Sequence, residues 1–303
     1  MNHNSILKKL EELNNGGKTK YEANPLMWKP SPGENTIRII TLVDQTDLPF
    51  KELKFHYGKN PNGRQGLMSP SSYGEPDPFI MKSEILKRQG NALTFDKQNP
   101  QPEKGKPIYF LGKDLEPIKR FHCLIIDRNA KTVSLQWWQH GEKIFESILK
   151  DIFKLQKDLE ELELVEPGQE VNVFHAVKGH DLVVTYLPPK SKEKYVLKEN
   201  PDYTGEFSDN QYGETTVSFK KKSSVITEDI ELGNKIMHEQ PDLFELYPKT
   251  SYEELEKILN QYLASRENET YTPTETKKVE TKVEKETETV SQAKENFNDL
   301  FKD

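Results

Sequence analysis

The sequence predicts an α+β, mainly β protein: a small antiparallel barrel core with a loop-rich insertion, a helical C-terminal segment and a disordered C-terminal tail. Three observations carry that expectation. Short β-branched runs recur along the chain, two pairs of them set across turn residues. Residues 44–118 are dense in Pro, Gly and Asn, the mark of a functional or partly disordered insertion. From Glu267 to Glu295 the chain is mostly Thr, Glu, Lys and Val, with almost nothing to fill a core.

Each element follows from its own pattern. "SILKKLEELN" (5–14) sets Ile6, Leu7, Leu10 and Leu13 at helical spacing, with Ser5 as cap and "NNGG" as stop. A helix so short is marginal alone, so it has to pack on its own domain or on a neighbour. "NTIRIITLV" (35–43) reads as a strand. "KRFHCLIID" (119–127) and "KTVSLQWWQ" (131–139) flank "RNA" as one hairpin, and "QEVNVFHAV" (169–177) and "HDLVVTYLP" (180–188) flank "KG" as a second. Between them "EKIFESILKDIFKLQKDLEEL" (142–162) supplies a connecting helix, continuous or broken once. Five strands, two hairpins and one intervening helix point to an OB-like barrel. Helices are expected within 223–247 and 251–266; the latter has Ser251 and Glu254 as a capping box and Leu255, Ile258, Leu259 and Leu263 on one face.

Composition narrows the function. Charged residues are 31% and hydrophobic ones 33%, so part of the 303-residue chain is not expected to fold. The net charge of −7 divides into +6 over residues 1–150 and −13 over residues 151–303, an asymmetry suited to a polyanion partner for the front half. The single cysteine, Cys123, excludes an internal disulfide or a cysteine-based zinc cluster and reads as a buried inert thiol. No apolar run is long enough for a membrane span and "MNHNSILKKL" lacks a signal-peptide core, so a soluble, cytoplasmic protein is expected.

No catalytic or cofactor motif occurs: there is no G-x-S-x-G, phosphate loop or dinucleotide fingerprint, and the histidines are scattered. Neither an enzyme nor a cofactor is expected. Rings interleaved with cations are more informative. Lys54, Tyr57, Lys59 and Arg64 form one group; Lys106, Tyr109, Phe110 and Lys113 a second; Lys119, Arg120 and Phe121 a third. Lys220, Lys221 and Lys222 follow Phe219. Strand alternation sets Val133, Leu135 and Trp137 on one face and Ser134, Gln136 and Trp138 on the other, which would leave Trp138 half exposed on a polar face. Single-stranded nucleic acid needs this combination, cations for phosphates and flat rings for unpaired bases.

The order of these features resembles the phage single-stranded DNA-binding protein family typified by the helix-destabilising protein of T-even bacteriophages. "ILKKLEELN" resembles its N-terminal cooperativity arm, "WKPSPGENTIRIITLVD" its opening strand and "PFKELKFHYG" the approach to its zinc subdomain. "KRFHCLIIDRNAKTVSLQWWQHGEKIFESI" is similar to its central hairpin and "MHEQPDLFELYPKTSYEELEKIL" to its closing helices. The resemblance implies an OB-fold core over 19–266, with the insertion at 44–118 and closing helices at 223–266. It also implies a self-association arm over 1–18 (Ile6, Leu7, Lys8, Lys9, Leu10) and a tail over 267–303 that recruits replication and recombination proteins. Two departures are visible. His56 stands at a plausible ligand position, but "LMSPSSYGEPDPFI" (67–80) holds no cysteine, so no zinc is expected and the loop must be ordered otherwise, DNA being one candidate. Residues 266–303 carry ten acidic and seven basic side chains, a weakly acidic tail.

The expected function is cooperative coating and protection of single-stranded DNA in replication, recombination and repair, in an infected host cell if the chain is of phage origin. The expected partners are neighbouring protomers along the strand and proteins captured by the tail. An RNA-binding OB protein and a non-nucleic-acid adaptor remain the alternatives. At the tail's end, Phe297, Leu300 and Phe301 share one face if helical, with Asp299 among them, which suits docking into an apolar groove rimmed by basic residues.

Overall fold

The computed structural model of the protein describes residues 24–43, 48–60, 66–175 and 179–269. The chain divides into a unit from Met1 to Tyr262 and a second from Leu263 to Asp303; the fold below is that of the first, and its last helix runs across the boundary. Its elements run β1 (Met27–Trp28), β2 (Gly33–Ile40), β3 (Lys51–His56), β4 (Leu67–Met68), α1 (Pro78–Thr94), α2 (Pro102–Asp114), β5 (Ile118–Asp127), β6 (Leu135–His140), α3 (Glu142–Glu161), β7 (His180–Leu187), α4 (Glu193–Glu199), β8 (Glu214–Ser223), α5 (Ile230–His238) and α6 (Tyr252–Glu269).

The result is a mixed α/β structure dominated by one eight-stranded sheet with β5 as its hub. Phe121–Ile126 are all buried, as a strand covered on both faces requires. β6 runs antiparallel along one edge, with Cys123 opposite Trp138 and Leu124 opposite Trp137. Along the other edge β2 and β3 lie end to end, β2 against Leu124–Asp127 and β3 against Ile118–His122. β7 pairs antiparallel with β2 and β8 with β7, while β4 pairs with β3 and the short β1 runs parallel to β6. Among the described residues no pairing closes the ends, so the sheet is open.

Both faces are covered. On one, Ile37, Ile39, Cys123, Ile125, Trp138, Leu182, Val184 and Phe219 pack under Ile148, Leu155 and Leu159 of α3, which is continuous over Glu142–Glu161. Opposite, Leu53, Phe55, Met68, Leu124 and Trp137 pack with Leu42 and with Leu243 from the short turn after α5. Ile40 and Ile126 continue that face against Ile226 and Ile236. Cys123 is fully buried, and burial pushes its thiol well above the usual range, so it is the inert core residue its apolar setting suggested.

Several expectations are corrected. The first hairpin is present, but its loop takes in residues 128–134 and strand begins only at Leu135. The second hairpin is not: residues 169–175 form no strand. Val173 and Phe174 instead fill the core beneath α3, and β7 takes β2 and β8 as neighbours. β8 and α4 carried no recognised signal in the sequence. The insertion is not loop-rich: it holds β3, β4 and a helical hairpin, α1 against α2. Gly90, Gly105 and Gly112 are contact points between those helices. A Cβ on Gly90 would stand 2.5 Å from the Tyr109 backbone nitrogen, and one on Gly112 would stand 2.8 Å from the Ser83 carbonyl oxygen. Gly105 faces the Gly90 carbonyl in the same way. Pro78 and Pro102 occupy first helical turns, where their missing N–H costs nothing.

This packing predicts opposite signs for two kinds of glycine. Gly90→Ala or Gly105→Ala should overpack the α1–α2 contact and cost about 1–3 kcal/mol. Gly233→Ala in α5, where the nearest atom to a new Cβ is 3.8 Å away, should stabilise by about 0.4–1 kcal/mol. Urea midpoints of the three variants would check both.

Candidate nucleic-acid interface

β3 and β5 bring one predicted group together. Leu53, Phe55, Ile118, Arg120 and His122 share a face, while Lys54 stands directly opposite Lys119 on the other. As the chain leaves β3, Tyr57 swings under Arg120, whose guanidinium lies 5.2 Å from the ring centroid. Gln139 Nε2 donates to the Tyr57 hydroxyl at 3.4 Å, and Lys119 pairs with Glu52 at 3.4 Å in an exposed bridge.

Two rings that the sequence did not single out join this end of the sheet. Tyr247 lies 4.9 Å from Phe55 edge-on, and its hydroxyl shares a 3.1 Å hydrogen bond with His122 Nε2. Tyr73 packs on the same core cluster with Lys249 4.0 Å above its ring, and Lys249 also pairs with Glu75 at 3.7 Å. Tyr57, Tyr73 and Tyr247 are all half-buried, so apolar edges are held in the core while parts of the rings meet solvent. Burial raises the Tyr247 hydroxyl, with Tyr57 adding to it; burial and then Glu75 and Asp77 raise that of Tyr73, so both stay protonated donors. The signal available in the sequence was a tyrosine followed two residues on by Lys249 in "YPK", at the junction between two segments that read as helical.

A second group lies on α2. Lys106, Tyr109, Phe110 and Lys113 fall at i, i+3, i+4 and i+7, hence on one side of the helix. Phe110 is 64% exposed between its two exposed lysines and stands edge-on to the half-buried Tyr109 at 5.8 Å. Lys220, Lys221 and Lys222 are exposed on β8, at the sheet's end. Lys221 is bound to Asp158 at 2.9 Å and Asp151 accepts the Phe219 N–H at 2.5 Å, so α3 shields part of this edge and the lysines guard it against strand addition. Lys221 and Lys222 also line a cavity of about 510 Å³ with Leu164, Val165, His175 and His180.

Three candidates leave the interface. Lys59 is buried, its Nζ 2.5 Å from Asp114 and 3.1 Å from the Tyr262 hydroxyl, so it ties residues after β3 to α2 and α6 rather than meeting a phosphate. Phe121 is stacked on Phe145 of α3 at 4.0 Å. Trp138 is 2% exposed, packed edge-on against Trp28 at 5.5 Å, because α3 covers the face that alternation had marked as polar. Arg64, the arm residues Ile6, Leu7, Lys8, Lys9 and Leu10, and the tail residues Phe297, Asp299, Leu300 and Phe301 lie outside the described residues.

The loop at 67–80 is ordered by its own side chains. His56 Nε2 is 2.9 Å from Asp77 Oδ2, Ser69 Oγ donates to the same carboxylate, and Asp77 Oδ1 caps α1 by accepting the Phe79 and Ile80 N–H groups. Burial pushes the Asp77 carboxyl up, but His56, Ser69 and the Ile80 N–H outweigh it and hold it below the usual range. A ring, a hydroxyl and one carboxylate do not make a zinc-type donor set, and among the described residues no group of three or more His, Cys, Asp or Glu is placed to hold a metal ion.

Neither the family models nor the curated proteins compared with this chain give a match.

Two buried histidines, His122 beneath this site and His140 on the α3 side, set a pH limit for the fold. Burial, then the neighbouring His140, lowers His122 to about 3, and burial lowers His140 to about 4. The folded state thus excludes protons that the unfolded chain accepts below about pH 6.5. Their contribution is complete above that pH and is lost as pH falls toward 4 and then 3. At pH 5 each should cost roughly 2 kcal/mol relative to pH 7.5. Melting temperature should therefore drop steadily from pH 7 to 5, and a flat profile there would contradict the assignment.

Proposed function

We propose that the protein is a non-enzymatic single-stranded DNA-binding protein that coats and protects unpaired strands during replication, recombination and repair. The observation that carries this reading is the tyrosine shelf: Tyr57, Tyr73 and Tyr247 half-buried on one core cluster, with Arg120 and Lys249 over two of the rings. A base stacked on Tyr57 takes the face that Arg120 occupies and releases the guanidinium to a phosphate, so one event provides both contacts. Each stacked base contributes roughly 1–3 kcal/mol irrespective of sequence. Lys54 and Lys119 on the other face of the same strands, and the α2 group of Lys106, Tyr109, Phe110 and Lys113, supply further cations and rings, and the +6 balance of residues 1–150 favours a polyanion. On this reading β2, β5, β6 and β7, with α3 between the last two, are strands of an OB-like barrel. The arm over 1–18 joins neighbouring protomers along the strand, and Phe297, Leu300 and Phe301 recruit partner proteins.

All three tryptophans are buried, so their fluorescence is a poor reporter of base stacking. Anisotropy of end-labelled oligo-dT is the suitable measurement, with duplex and oligo-rU as competitors and salt as a variable. Binding to dT should weaken with salt. Tyr57→Ala should lower affinity about 5- to 100-fold, whereas Lys59→Ala should lower stability first. Absent binding, or equal binding to duplex, would overturn the proposal; a preference for rU would move it to the RNA-binding alternative.

A further inference from the structure

The outer side of α1 carries a surface that nothing in the fold explains. Met81, Ile85, Arg88, Ala92 and the cap residue Phe95 are all exposed, and they alternate by four and three residues. That is the seam spacing of a helix that expects another helix alongside. Met81 is 51%, Ile85 46% and Phe95 75% exposed, whereas the opposite side of α1, through Ser83, Leu86 and Gly90, is buried. Tyr252, its hydroxyl 3.8 Å from the Met81 sulfur, borders one end of the stripe. Arg88 has no ion pair among the described residues. Lys87, beside it, is already held by Glu116 at 2.5 Å.

The chain contains a segment of matching pattern. In "SILKKLEELN", Ile6, Leu10 and Leu13 repeat the four-then-three spacing, Leu7 widens the apolar face, and Glu11 stands one turn beyond Leu7 at its border. Ten residues of this kind are too few to be helical alone and need a surface to fold against. We propose that residues 5–14 of a second copy of this chain dock along the α1 stripe, apolar face to apolar face, with Glu11 reaching Arg88. The contact is head-to-tail: the donor's arm and the acceptor's α1 are different surfaces, so each protomer can give one and receive one, and the chain of copies stays open. An open repeat suits a linear ligand. The proposal rests on the self-association reading of the arm and names the surface that receives it.

Charge reversal tests it without disturbing the core, because Arg88 is exposed and Glu11 is remote from the tyrosine shelf in sequence. Self-association is followed by sedimentation of the protein alone and by cooperativity on poly-dT, with single-site affinity measured on a short oligo-dT. Arg88→Glu and Glu11→Arg should each weaken self-association about fivefold or more. An equimolar mixture of the two variants should recover it, since every contact in an alternating array is again complementary. Ile85→Asp should weaken it as well and should not be rescued by Glu11→Arg. Single variants that associate as the wild type does, or a wild type that stays monomeric in both settings, overturn the α1 site. Single variants that weaken without rescue in the mixture overturn contact between copies and leave only docking within one chain. Loss of short-oligo affinity with self-association intact counts instead against the shelf.

Discussion

Arg38 of β2 and Asp181 of β7 form a buried ion pair just beyond the Ile37–Leu182 register pair, and the rest of the fold is arranged around keeping that pair satisfied. Arg38 is fully buried. Its Nε and Nη2 lie 3.0 and 2.8 Å from Asp181 Oδ1, and Nη2 also donates to the Ser224 carbonyl and hydroxyl, both at 2.8 Å. Ser224 Oγ donates in turn to Asp181 Oδ2, and Arg128 approaches that oxygen at 3.7 Å while its own Nη groups hold the Val225 and Ile226 carbonyls. Burial pulls the Arg38 guanidinium down and Asp181 opposes it. Removing one partner of such a pair costs about 3–5 kcal/mol, since the other charge is left buried and alone. The pair also fixes register: a one-residue slip of β7 against β2 would carry Asp181 away from Arg38 and turn the apolar side chains to the wrong face.

The constraint explains where a binding surface can and cannot lie. With β7 locked beside β2 and β8 beside β7, α3 can cover one face of the sheet while the chain after β8 returns across the other. Neighbouring side chains along β6 are then both buried, Trp137 on one face and Trp138 on the other, each 2% exposed. β6 therefore has no free aromatic ring to offer. The sheet's β3 end is incompletely roofed, where short β4, the turn carrying Tyr73 and the segment carrying Tyr247 meet Tyr57, and there rings remain half in water.

The same physics marks what the sequence made legible. "NTIRIITLV", "KRFHCLIID" and the apolar face of α3 were readable because burial on a known period leaves a direct trace. The α1–α2 hairpin was not, because close helix contact selects Gly90, Gly105 and Gly112 and helix starts accept Pro78 and Pro102, the residue types that ordinarily signal loops. β8 was hidden by "KKK", which edge protection requires and which reads as solvated surface. "QEVNVFHAV" alternated like a strand, yet its Val173 and Phe174 serve the core from an irregular segment. At the site, Tyr57 and Arg120 were each recognisable as members of separate ring-and-cation groups, and the pairing of β3 with β5 brings the two together. Tyr73 and Tyr247 come from segments far apart along the chain, and only the tertiary fold sets both against Phe55's cluster.

Charge alone is a poor guide to which lysines a polyanion can use. Lys119 with Glu52, Lys249 with Glu75 and Lys221 with Asp158 are all exposed or half-exposed bridges at 2.9–3.7 Å. Pairs of that kind contribute about 0–1 kcal/mol, so a phosphate can displace the carboxylate at little cost. Lys59 is different in kind: buried, bound to Asp114 and to the Tyr262 hydroxyl, and lying 4.6 Å from that ring's centroid, it cannot exchange partners without opening the packing between α2 and α6. A cationic surface of exchangeable pairs attracts weakly and without preference. The rings beneath Arg120 and Lys249 are what would convert that attraction into a choice of unpaired bases over duplex, because only an unpaired base can present its face to them.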